Sequence, residues 1–283
     1  MRLSLFLNND LESNIALNGL LPEIQKHQFN IYLSEKVGPS SHSIQALQYL
    51  DFLEREFIHT SLFPKLEDQP AAGFLTFNQI ARKHKADLSH ISEIKTQSTL
   101  DKIAAFNPDL FISIRFGKIF KGKMLQIPPM GIINLHSALL PDYKGVLGTV
   151  RAFMDGKPTI GSTIHYIKNS EIDTGDILSI NSCAVASNKS VLWHIVHLYP
   201  TAIANLCSII DQLSLGNEIR TYAQSAGGHY FSFPNEDDFK ILKQKGVNLF
   251  SLEDYAEVIS VFYAVEKIWI LNELASKGIP ESF

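Results

Sequence analysis

Short apolar runs alternate with stretches of helical periodicity over the first two hundred residues. Leu3–Leu7 is an apolar run that predicts a strand. Asn8-Asn9-Asp10 supplies turn and N-cap candidates, and Leu11–Gln25 carries Ile15, Leu17, Leu20, Leu21 and Ile24 at helical spacing. Phe29–Leu33 predicts a second strand, closed by Ser34-Glu35-Lys36-Val37-Gly38. That β-α-β order suits a parallel pair. Helices follow over Ser41–Phe57 and Thr76–His84, with a Pro-containing loop over Phe63–Gly73 between them. A helix over Leu100–Phe106 is stopped by Asn107-Pro108-Asp109. Leu110–Ile114 and Gly131–Leu135 read as buried strands, and Thr149–Met154 as a short helix. Thr159–Ile167 and Gly175–Ile180 read as paired strands, and Val191–Leu213 as one long helical region.

The pattern changes after about residue 215, which divides the chain into an α/β unit (1–215) and a C-terminal extension (216–283). The extension carries Gly227-Gly228-His229-Tyr230-Phe231-Ser232-Phe233-Pro234, where a hairpin is one reading of His229 and Tyr230 and contact with a ligand another. A charged helix over Glu236–Lys245, a strand at Leu249–Ser251 and helices over Asp254–Tyr263 and Glu266–Ser276 complete it. The extension is expected to pack on the main unit. Its aromatic content, Phe239, Phe250, Tyr255, Tyr263 and Trp269 among them, has two readings: core packing, or a homodimer contact.

Composition narrows the class. The chain has 283 residues, 45% hydrophobic and 19% charged, an ordinary globular balance. A net charge of −4 argues against a general nucleic-acid binder. Two cysteines, Cys183 and Cys207, lack metal-ligand spacing and suit a reducing compartment. No apolar run reaches the ~18 residues of a membrane span, and Asn8-Asn9-Asp10-Leu11-Glu12 interrupts the start of any signal sequence. A cytoplasmic protein is expected. No G-x-G-x-x-G follows the first strand, so a dinucleotide cofactor is not expected.

The chemistry gathers between Met130 and Leu178. Asn134 and His136 lie two apart on a strand-like run, so their side chains share a face. Asp173 opens a Thr-Gly turn further on. Amide, imidazole and carboxylate fit an acyl-transfer site: an amide N–H can donate to a developing oxyanion, an imidazole can move protons near neutral pH, and a carboxylate can orient the imidazole. Arg115-Phe116-Gly117-Lys118 follows the carboxyl end of a buried strand, where open α/β sheets collect ligands. His194 and His197, at i and i+3, lack a third ligand, and no metal is expected.

Three segments resemble the folate-dependent formyltransferase family: Phe111–Ile119, Gly131–Gly145, and Gly161–Tyr166 running through Asp173–Ile177. The resemblance implies a Rossmann-like, twisted, mostly parallel α/β sheet of the formyltransferase type with a small mixed C-terminal extension. It implies Asn134, His136 and Asp173 as the catalytic set and 10-formyltetrahydrofolate as donor and co-substrate. The donor would be held by Arg115, Phe116, Gly117, Lys118 and Ile119 from one loop and Asn169 and Ile172 from another. The expected reaction is N-formylation of a primary amine on a small acceptor, an amino-sugar nucleotide being the first choice; hydrolysis of the donor, methionyl-tRNA formylation and non-catalytic folate binding are the alternatives. Ser137 and Ala138 stand where relatives usually have Pro and Ser, and Lys144–Thr149 departs from the tRNA enzyme's usual run. The extension holds six Lys/Arg and ten Asp/Glu, which disfavours tRNA because phosphate binding requires cations.

Several of these residues have plainer readings. Asp173 could cap its turn, His165 could be an ordinary strand histidine, Arg115 could pair with an acid, and Asp176 could be a loop charge.

Overall fold

The computed structural model describes residues 1–35, 43–67 and 72–283. The expected turn at Lys36–Gly38, the helix start at Ser41 and residues 68–71 of the expected loop lie outside them. The chain opens with β1 (Arg2–Asn8), α1 (Leu11–Ile24) and β2 (Gln28–Ser34). Asp10 caps α1 by accepting from Ser13 N–H, so the polar turn both ends the strand and starts the helix. Next come α2 (Gln45–Asp51), wide turns over Phe52–Glu56 and Ile58–Leu62, and α3 (Phe63–Glu67). The helical path therefore runs past Phe57 into the expected loop. Pro64 follows a wide turn in which Phe63 N–H donates to Ile58 O, and Phe63 and Leu66 stay buried in the core, which favours continued helix over a stop at the proline.

Then α4 (Phe77–His84), capped by Thr76 and Gln79, leads to β3 (Leu88–His90), a three-residue edge strand that its half-polar sequence does not signal. Next are α5 (Gln97–Ala105), β4 (Leu110–Ile114), β5 (Ile132–His136), β6 (Tyr143–Gly145), α6 (Gly148–Met154), β7 (Thr159–Tyr166) and β8 (Ile177–Ala184). The expected single helix after β8 is two, α7 (Val191–His197) and α8 (Tyr199–Ser214). The break falls at Leu198, just before Pro200, which has no amide proton to continue the ladder. The tail adds β9 (His229–Phe231), α9 (Glu236–Gln244), α10 (Leu252–Tyr263) and α11 (Lys267–Ser276). The strand expected at Leu249–Ser251 is reduced to an isolated bridge between Ser251 and Ser282.

Seven strands form one sheet in the order β3-β2-β1-β4-β5-β7-β8. The first five run parallel, while β7 and β8 are antiparallel additions. The fold is α/β with a Rossmann-like, mostly parallel sheet. Alternation along β1 sends Leu3, Leu5 and Leu7 into the larger core beneath α1 and α8, and Phe6 into a smaller one with Tyr32, Ile103 and Phe111. Full burial of each such side chain contributes about 1.5–3 kcal/mol. Phe239, Phe250, Tyr255 and Tyr263 of the tail are buried in the larger core. Tyr255 donates to Leu53 O and Tyr263 to Asn14 Oδ1, so the tail is fastened to the N-terminal half by polar as well as apolar contacts. No helix among the described residues is long and apolar enough to cross a membrane.

Candidate active site

β4 and β5 are parallel neighbours, so their carboxyl ends lie side by side. Arg115 leaves β4 there, and His136 ends β5. A cleft of about 520 Å³ opens at this edge. All ten residues expected from sequence border it: Asn134, His136 and Asp173, the loop Arg115, Phe116, Gly117, Lys118 and Ile119, and Asn169 and Ile172 from the loop before Asp173.

Asn134, His136 and Asp173 meet, together with His165, which the sequence presented as an ordinary strand histidine. The antiparallel register of β5 and β7 sets Asn134 opposite His165. His165 Nδ1 lies 2.9 Å from the Tyr166 carbonyl. A carbonyl only accepts, so Nδ1 carries a proton. In the neutral ring Nε2 is then an acceptor, and Asn134 Nδ2 donates to it across 3.1 Å. That holds the amide in one orientation with its second N–H still available.

His136 Nε2 donates to the Tyr143 carbonyl at 2.7 Å, while Nδ1 faces Asp173 Oδ2 at 3.6 Å. Asp173 Oδ2 also accepts from Gly145 N–H at 2.8 Å, and Oδ1 lies 3.4 Å from His165 Nε2. Burial by itself pushes the Asp173 carboxyl up. The charge of His136, the proximity of the His165 ring and the Gly145 amide outweigh it and hold the group well below the usual carboxylate range. Asp173 is therefore an anion set between two imidazoles. Its backbone is left-handed (φ +56°), a conformation that needs support from its surroundings. Gln224 supplies some, donating to the carbonyls of Asp173 and Gly175.

The backbone of β6 thus touches both His136 and Asp173, through Tyr143 O and Gly145 N. β6 in turn pairs in parallel with β9 from the tail. His229 and Tyr230 are consequently not a hairpin: their strand is the second half of a pair whose first half lies 86 positions earlier, from Tyr143 to His229. Tyr230, Ser232 and Phe233 border the cleft; for Tyr230 the sequence offers contact with a ligand or a hairpin.

Arg115 takes the second of its two expected readings, pairing with acids. It borders the cleft, but its guanidinium is engaged by Asp10 at 2.7 Å, Glu54 at 2.9 Å and Glu12 at 3.7 Å. Those three acids are the one group among the described residues close enough to share a metal ion, and they surround a fixed cation instead. Asp176 pairs with Lys168, as a loop charge does. His194 donates from Nδ1 to Ser190 O and accepts from Ala186 N–H at Nε2, and His197 stacks on Trp193, so that pair is used in packing.

Residues 58–192 match the formyl transferase family. The methionyl-tRNA formyltransferase of Syntrophomonas wolfei is 36% identical over 110 residues, which cover 39% of this chain and 35% of that protein. The methionyl-tRNA formyltransferase of Anaplasma marginale is 26% identical over 205 residues, 71% of this chain and 66% of that protein. The chain thus spans about a third to two thirds of the length of these curated relatives. A sugar N-formyltransferase from a Shewanella species superposes with a TM-score of 0.55 at 18% identity, over 86% of this chain and 79% of that one. A glycinamide ribonucleotide transformylase from Symbiobacterium toebii gives 0.52 at 16%, over 80% and 94%. At such identities these two likenesses establish the fold alone. The matched segment contains Asn134, His136, His165 and Asp173 and both loops of the cleft, and it sits on the fold that these formyltransferase structures share.

Proposed function

We propose that the protein is an N-formyltransferase that moves a formyl group from 10-formyltetrahydrofolate to the primary amine of a small acceptor, of the amino-sugar nucleotide class. The observation that carries this reading is the convergence of Asn134, His136 and Asp173 on one cleft between the two loops. The cleft volume lies within the roughly 300–1,000 Å³ of small-molecule sites, and its lining mixes apolar side chains such as Phe116, Ile119 and Ile172 with a few polar groups.

The acceptor amine attacks the formyl carbon, a C–N bond forms, and the carbonyl oxygen becomes an oxyanion. The free N–H of Asn134 donates to that oxygen; removing one such donor typically costs about 3 kcal/mol of transition-state stabilisation. The amine proton passes to His136, whose cation Asp173 stabilises, and from there to the leaving nitrogen of the folate as the C–N bond to it breaks. No covalent enzyme intermediate is required.

A second reading, methionyl-tRNA as acceptor, is supported by the sequence relatives named above. The acidic balance of residues 216–283 supports the small acceptor instead. The test is donor turnover, followed by folate absorbance, with an amino-sugar nucleotide, with methionyl-tRNA and with neither. Turnover only with the sugar nucleotide is expected. Turnover on tRNA, or formate release at full rate without any amine, overturns the assignment.

A further inference from the structure

We infer that Arg115 is the positioning residue of the donor-binding loop, clamping its first turn to the N-terminus of α1 and to the wide turn at Phe52–Glu56. The inference rests on the reading of loop 115–119 as the donor's, and deepens it.

Arg115 is the first residue after β4, and its backbone is left-handed (φ +55°). An L-residue there costs about 1–2 kcal/mol, so arginine persists where glycine would be unstrained. The side chain supplies the reason. Its Nε binds Asp10, one terminal nitrogen binds Glu54, and the other faces Glu12. The guanidinium is 14% exposed, Asp10 and Glu12 are fully buried and Glu54 is 12% exposed. Asp10 and Glu12 come from the N-terminus of α1 and Glu54 from the wide turn, so one planar fork ties the loop to two other parts of the fold. Asp10 is itself fixed by Asn8 Nδ2 at 2.7 Å and Ser13 N at 2.9 Å. Two residues on, Gly117 N–H donates to Ser34 Oγ at 2.9 Å, and that hydroxyl donates to Asn8 Oδ1 at 3.1 Å. The loop is therefore held at two points by the ends of β1 and β2, and Phe116, Lys118 and Ile119 are left to face the cleft.

Three carboxyls around one guanidinium carry a formal charge of −2 if all are ionised. Burial raises Glu12 well above the usual carboxylate range and raises Glu54 as well, with Arg115 opposing both shifts. Burial thus works against full ionisation of the acids, while Arg115 remains a cation. A lysine does not reproduce this, because its ammonium lacks the planar fork whose separate nitrogens address Asp10 and Glu54.

The test uses the full chain and 5-formyltetrahydrofolate as an unreactive probe. Arg115→Lys and, as a milder lesion, Glu54→Gln are compared with the parent by calorimetry, steady-state kinetics and hydrogen exchange. Arg115→Lys is expected to weaken probe binding and raise the donor KM about tenfold, leave kcat at saturating donor within about twofold, and speed amide exchange at residues 116–119. Glu54→Gln moves the same quantities in the same direction by less, and carries the test if the lysine variant does not fold. Unchanged exchange and probe affinity in a folded variant overturn the inference, as does a fall in kcat at saturation, which would mark Arg115 as a contact of the reacting group. If the parent itself fails to bind the probe, the proposed function fails, while the exchange measurement still decides whether Arg115 holds the loop.

Discussion

The side-chain amide of Asn134 lies 3.1 Å from Nε2 of His165, across the antiparallel pair of β5 and β7. The same imidazole nitrogen lies 3.4 Å from Asp173 Oδ1. His165 therefore links Asn134, the proposed oxyanion donor, to the Asp173 carboxylate beside His136, without itself appearing among the cleft-lining residues.

This linkage makes His165→Ala a kinetic variant. Losing Asn134 outright removes an oxyanion donor, an effect of about 10²–10³ in kcat. Losing only its orientation is expected to lower kcat by less, on the order of tenfold to hundredfold, with donor KM little changed. Steady-state kinetics at saturating donor check this. A variant with parental kcat would reduce His165 to a packing histidine.

Asp173→Asn should act on both rate and acid stability. As an amide it cannot stabilise a cation on His136, and kcat is expected to fall by about 10²–10⁴, the range for a positioned acid–base group. Because the folded carboxyl sits below its ordinary range, its contribution to stability is complete above the unfolded value of about 3.9 and is lost as pH falls through the folded value. The parent should lose stability on acidification below about pH 4 more steeply than the asparagine variant. Thermal melts across that window measure the difference, and parallel curves would contradict the assignment of Asp173 as a buried anion.

Glu12→Gln tests the opposite shift. Glu12 is fully buried, both its carboxylate oxygens lack hydrogen-bond partners, and burial raises its pKa well above the usual value. The folded state then binds the proton more tightly than the unfolded chain. The stability this gives is complete below the unfolded value of about 4.3 and declines as pH rises towards the folded value. Glutamine has no such slope, so the variant should gain melting temperature relative to the parent as pH rises from about 5 to 8. A difference that does not change with pH would show that Glu12 is ionised in the fold.

How far the sequence discloses this site follows from which contacts are local. Asn134 and His136 share a strand, so their common face is a matter of period two, and the Arg115 loop follows a strand that apolar composition marks. His165 is different: only the register between β5 and β7 makes it Asn134's partner, and register is a property of the folded sheet. Pairing of Arg115 with an acid is open in the sequence, but its partners are not legible there, because they lie 105, 103 and 61 positions away at Asp10, Glu12 and Glu54. The β6–β9 pair was missed for the same reason, since three-residue strands far apart in the chain carry too little periodicity to be seen. The helix after β8 was misread more locally: Pro200 marks the break, but continuous apolar spacing on both sides masks it.

Gly145 is where that long-range pair and the chemistry meet, and Gly145→Ala should reveal it. Its backbone has φ +94°, and a Cβ there would lie 2.3 Å from Phe231 O and 2.8 Å from the Tyr230 ring. The residue donates its N–H to Asp173, and the next amide, Val146 N–H, donates to Phe231 O at 2.9 Å. A methyl group must therefore part β6 from β9 or rotate the peptide that holds Asp173. The backbone strain alone costs about 1–3 kcal/mol. Gly122→Ala separates the two effects, because Gly122 also has positive φ, +58°, but nothing within 4 Å of its would-be Cβ. Both variants should melt below the parent. Only Gly145→Ala should also lower kcat, by at least about tenfold, because tenfold corresponds to about 1.4 kcal/mol of lost transition-state stabilisation, within reach of one displaced hydrogen bond to a charged group. Equal kinetic effects at the two positions would mean that strain, not the Gly145–Asp173 contact, limits the reaction.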